Sequence, residues 1–151
     1  MTVAFRNVDV APGDAVSTWP YEALATVLER GLVPDWRPVL AELRREPWGP
    51  VSRRVERILS YEELPGASPL FRRAIAQSRQ AADDRDRDEV ARRITQAIGD
   101  SGLSASRFAE QIGTSASRLS TYATGRVTPS AAMLLRIERC SFELQNRSAA
   151  G

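Results

Sequence analysis

The sequence predicts an all-α protein in two parts. An N-terminal bundle of about four short helices precedes a C-terminal domain of four to five. Three observations carry this expectation. Apolar residues recur at helical spacing in most of the stretches where they are dense. Proline and glycine fall between those stretches, where helices start and stop. The segment Leu103–Gly125 reads as two short helices joined by a tight turn.

Residues 1–16 carry Val3, Phe5, Val8 and Val10 without a helical period, with Pro12-Gly13 marking a turn. An extended arm and one short strand both fit. Ser17 or Thr18 with Pro20 opens the first helix, which has Tyr21, Leu24 and Leu28 on one face and Gly31 at its end. Asp35 and Pro38 begin a second, with Trp36, Val39, Leu40 and Leu43 at i, i+3, i+4 and i+7. Pro47 stops it. Gly49-Pro50 starts a third, carrying Val51, Val55, Ile58 and Leu59, and Ser68-Pro69 caps a fourth with Leu70, Phe71, Ala74 and Ile75 inward. Gln80–Glu89 is a charge run without apolar period, read as a polar linker or an exposed helical connector. Its aspartates lack the glycine and terminal glutamate of a calcium loop. Asp86 or Asp88 could then cap a further helix with Val90, Ile94, Ala97 and Ile98 on one face, ending at Ser101-Gly102. These signals divide the chain into 1–80, a charged linker at 81–89, and a domain at 90–148, with a frayed tail from Asn146 to Gly151.

In the segment Leu103–Gly125, Ser104 is a candidate N-cap, and Phe108, Ala109 and Ile112 share one face. Gly113 suits a sharp exit that needs positive φ. Ser115 can cap a second helix whose Leu119 and Tyr122 face inward. A final helix from Ser130 would turn Met133, Leu134, Ile137 and Cys140 to the core. This spacing resembles the Cro/CI-type (XRE) helix-turn-helix family. Gly125-Arg-Val-Thr-Pro-Ser130 resembles that family's glycine–basic–x–x–Pro–Ser loop, and Ala131–Ile137 its following apolar helix. The resemblance covers the C-terminal half only; residues 1–80 are unrecognised.

The resemblance implies a lambda-repressor-like domain whose second motif helix enters the major groove of double-stranded DNA. It places Ala116, Ser117, Ser120 and Thr121 outward, at base edges. Arg118 would reach a guanine edge or a flanking phosphate. Arg126 would bind phosphate, with Ser104, Arg107 and Thr124 as further backbone contacts. One departure is Ala105, where the family often has glutamine. The reading face is rich in Ser, Thr and Ala, which implies modest direct readout supplemented by DNA shape and dimerisation.

Charge agrees with that placement. All 21 basic residues are arginine, and they are unevenly spread: residues 1–89 hold 13 against 15 acids, residues 90–151 hold 8 against 4. A basic surplus where the motif sits is what phosphate binding requires. Trp19, Trp36 and Trp48 all lie in the N-terminal half; they fill its core or line a groove for a protein partner.

The expected function is a sequence-specific DNA-binding regulator, a repressor acting as a homodimer on an inverted repeat. Small proteins of this kind with an extra domain resemble antitoxins of toxin–antitoxin pairs, in which residues 1–80 would hold a co-encoded toxin or other protein. The alternative is a protein-binding adaptor with a degenerate motif. No enzyme is expected: without histidine there is no Ser–His or Cys–His pair, and no phosphate-cradling glycine motif appears. Cys140 is alone and reads as a core residue, so no disulfide, metal or cofactor is called for. No apolar run approaches the ~18–20 residues of a membrane span, and no secretory signal opens the chain, so the expected location is the cytoplasm.

Overall fold

The computed structural model describes residues 3–6 and 8–151. It is all-helical, with seven α-helices and, among the described residues, no strand. Two compact units divide at Ala82/Asp83.

In the first unit a 3₁₀ turn at Val16–Thr18 leads into α1 (Tyr21–Arg30), α2 (Val33–Arg45), α3 (Pro50–Tyr61) and the first half of α4 (Ala67–Asp100). The helical spacing read from the sequence is realised: Leu24, Leu28, Val39, Leu43, Val55, Leu59, Phe71 and Ile75 enclose one core. α1 ends at Gly31, where a Cβ would lie 2.3 Å from the Val27 carbonyl oxygen. That carbonyl also accepts the Trp36 indole N–H at 2.8 Å, so α1 and α2 close on each other where only glycine fits. α2 begins two residues earlier than Asp35. The Asp35 carboxylate reaches back to accept the Leu32 amide at 2.9 Å, which makes it the third residue of the helix rather than its cap. Pro50 occupies the first turn of α3, where the missing N–H costs nothing. Val3, Phe5, Val8 and Val10 pack on this core, and no strand forms among the described residues of 1–16; positions 1, 2 and 7 of that segment lie outside them.

The main departure from the sequence reading lies between the units. The expected fourth helix, the charged run 81–89 and the expected first helix of the second domain are one helix, α4, of 34 residues. No glycine or proline falls between Pro69 and Gly99 to break it. Residues Asp83–Glu89 are exposed throughout, so no core holds them. Their charges alternate instead at helical spacing: Asp83/Arg87, Arg85/Glu89 and Asp88/Arg92 are each four apart, and Arg92 is ion-paired with Glu89. Neither Asp86 nor Asp88 caps anything.

The second unit comprises the end of α4 with α5 (Ala105–Ile112), α6 (Ala116–Ala123) and α7 (Ala131–Ala149). Its core is Ile94, Ala97, Phe108, Ala109, Ile112, Leu119 and Ile137, flanked by half-buried Met133, Leu134, Cys140 and Leu144. Polar ties pin α7 to its neighbours. The buried Ser141 hydroxyl donates to the Ala97 carbonyl at 2.8 Å, and Arg136 donates to the Ile112 carbonyl at 3.2 Å, at the negative end of α5. α7 continues to Ala149, through most of the tail, Asn146–Gly151, that the sequence expected to fray. Burial pushes the Cys140 thiol up, and the nearby Glu143 carboxylate adds to this, which suits a packing residue better than a nucleophile.

Candidate nucleic-acid interface

The candidate site is built on α5, α6 and the turn between them. Ser104 caps α5 by accepting the Arg107 amide at 3.3 Å, and Ser115 caps α6 by accepting the Arg118 amide at 3.1 Å. Gly113 leaves α5 at φ 74°, ψ 39°, in the left-handed region. The Thr114 amide then bonds the Ala109 carbonyl at 2.9 Å, and the Gly113 amide bonds Glu110 at 3.2 Å. This pair of bonds is a Schellman exit, which satisfies the orphan carbonyls of α5 and turns the chain within three residues. Phe108, Ala109 and Ile112 of α5 and Leu119 of α6 are buried together, so the two eight-residue helices meet through their apolar faces and leave the others to solvent.

Ala116, Ser117, Arg118 and Ser120 are exposed on α6, as the sequence placed them, and Thr121 is half-buried. Ser104, Arg107, Thr124 and Arg126 are also exposed. Arg126 follows Gly125, whose φ of 76° again reverses the chain, and the Val127 amide closes that loop on the Thr121 carbonyl at 3.1 Å.

Two hydroxyls differ from their expected use. Thr121 donates to the Arg118 carbonyl at 2.6 Å and Thr124 to the Ser120 carbonyl at 2.9 Å. A hydroxyl has a single proton, and here it is spent on the helix backbone. Thr121 can therefore accept from a base or offer its methyl, but it does not donate. Thr124 is poorly suited to phosphate, which offers only acceptors. Ser104 keeps its proton, because capping uses a lone pair.

The electrostatics are simple. Residues 103–130 hold Arg107, Arg118 and Arg126 against the single acid Glu110. Among the described residues none of the three arginines has a carboxylate within ion-pair distance, whereas Arg93 on α4 bonds Glu138 at 2.6 Å. Among the described residues no cluster of acids or cysteine could hold a metal, and no helix is long and apolar enough to cross a membrane.

The tryptophans part ways. Trp19 is 2% exposed, stacked edge-on by Phe5 at 5.1 Å, and its indole N–H donates to the Asp14 carbonyl. It is a core residue and cannot line a groove, because both its surface and its one donor are used. Trp36 is half-buried against Phe71 at 5.7 Å. Trp48, in the loop after α2, is 49% exposed and alone of the three leaves much of its ring to solvent. Leu135 and Phe142 on α7 are exposed apolar residues that the sequence reading passed over. Their seven-residue spacing, off the stripe of Met133, Ile137, Cys140 and Leu144, was the available signal.

Fold and site together define the class: an all-α chain whose second unit holds a capped two-helix turn with exposed arginines that, among the described residues, have no carboxylate partner. No family model matches the chain, and no curated protein or solved structure matches it.

Proposed function

We propose that this protein is a sequence-specific, double-stranded-DNA-binding transcriptional regulator, a repressor that acts as a homodimer on an inverted repeat. The observation that carries the reading is the exposed N-terminal half of α6, where Arg118 and Ser117 stand free of any carboxylate at the exit of the Gly113 turn. A short helix held by its apolar back, with its first residues outward, suits insertion into a major groove about 12 Å wide. Arg118 would bridge O6 and N7 of a guanine. Ser117 and Ser120 would adapt to donor or acceptor edges, and Ala116 would touch a thymine methyl. Arg126 and Arg107 would hold flanking phosphates, with Ser104 donating its remaining proton. Few bidentate side chains face outward, so one subunit reads little sequence, and two subunits across a two-fold axis supply the rest.

The test is binding of the full chain to the DNA upstream of its own gene, against random duplex, across a salt series. A complex that prefers the upstream DNA, weakens steeply with salt and protects two half-sites about one helical turn apart supports the reading. Equal, weak binding to both DNAs refutes it and leaves a protein-binding adaptor.

A further inference from the structure

We propose that the face formed by the end of α4 and the outer side of α7 binds the same face of a second copy of this chain. This deepens the dimer reading above and takes its purpose from it, but its test does not depend on DNA. The face carries a projection and a hollow side by side. Phe142 is 63% exposed, the most exposed large apolar residue of the second unit. It forms one wall of an open groove of about 430 Å³ whose floor is Ala97 and whose opposite wall is α4, from Glu89 to Asp100. A surface that holds both a knob and its hole is self-complementary. A two-fold axis beside Phe142 lets each ring enter the other copy's groove and lie against its counterpart.

The charges on this face favour a copy of itself over other occupants. Its rim carries Glu89, Asp100 and Glu138 against Arg92 and Arg93. Arg92 is paired with Glu89, Arg93 with Glu138, and Asp100 accepts the Gln96 amide at 2.8 Å. Both arginines of the rim thus have a carboxylate partner within their own chain, and closing the face leaves Asp100, held by a neutral amide, as its one charge without an opposite among the described residues. The surplus of acid repels a polyanion, which keeps this face off DNA. Because both signs are present, a second copy rotated about the axis can set the acids of one rim against the arginines of the other. Leu135, 56% exposed and one heptad before Phe142, extends the apolar strip along the same side of α7.

Sedimentation of the full chain over the micromolar range tests this, with Phe142→Glu compared to wild type and helical content checked by circular dichroism. Phe142 is not in the core, so the variant should fold. The expected result is a wild-type dimer whose dissociation constant rises about thirtyfold or more in the variant, the loss typical of a central aromatic anchor. A wild type that stays monomeric, or a variant that dimerises as tightly as wild type, overturns the proposal. Should Phe142→Glu unfold, Gln145→Glu decides, because it adds a carboxylate to the same exposed wall; an unweakened dimer then overturns the proposal. A monomer that still binds its upstream DNA specifically overturns this face alone. A dimer weakened at Phe142 that ignores DNA overturns the regulator reading and leaves the face standing.

Discussion

Gly113 carries the turn between α5 and α6, and its replacement has a cost that the structure isolates. No heavy atom lies within 4 Å of a Cβ built there, so a substitution meets no clash. What it meets is φ 74°, ψ 39°, a left-handed backbone that costs a residue with a Cβ about 1–2 kcal/mol. Gly113→Ala partly offsets this by stiffening the unfolded chain, worth about 0.4–1 kcal/mol, so its net loss should be about 0.5–1 kcal/mol. Gly113→Asn should lose less, since asparagine tolerates this region. Gly113→Val, branched at Cβ, should lose about 2 kcal/mol. For a unit of this size that corresponds to a fall in Tm of about 8–16 °C. The assay is thermal unfolding of the full chain followed by circular dichroism, with tryptophan fluorescence alongside. All three tryptophans lie in the first unit, so a shift seen by dichroism and not by fluorescence assigns the loss to the second. The order Asn, Ala, Val is the signature of backbone strain. Equal melting of all three variants with wild type would refute the turn as a source of stability.

The remaining predictions concern the arginines. Arg118→Ala should weaken binding to the preferred site by about tenfold to a hundredfold, and binding to random duplex far less. Equal losses on both would make Arg118 a phosphate contact. Arg126→Ala should weaken both DNAs alike and reduce the salt slope by about one; an unchanged slope would take Arg126 off the backbone. In α4, Arg85 and Arg87 stand in the exposed stretch held by local charge pairs alone, so among interior arginines trypsin should cut there first. Added salt should speed that cut by screening the pairs, and first cleavage within α3 or α7 would contradict this account of α4.

Helix ends were legible in this sequence wherever a side chain or a backbone angle imposed them locally. Gly113, Ser104, Ser115, Ser130 and Pro50 do in the structure what their chemistry permits, because a cap or a positive φ is decided within four or five residues. Apolar faces were legible for the same reason: periodicity places Leu24 with Leu28 and Phe108 with Ile112 whatever lies opposite. The continuity of α4 was not legible from periodicity, since Asp83–Glu89 has no apolar face to count; its helix rests on charges four apart, which the same composition in a loop would also contain. Nor could the sequence distribute Trp19, Trp36 and Trp48 among core, edge and surface, because burial depends on which helix crosses above. The hydroxyls show where local chemistry ends and function begins. Thr121 and Thr124 can bond either their own helix or a ligand, and in the structure both are committed to the helix. Ser117 and Ser120 therefore carry the adaptable polarity of α6, and Arg118 its reach. With Arg118 the one long side chain among the outward residues of α6, a single copy of that face offers few directional contacts, and under the proposed function a second copy would have to supply the rest.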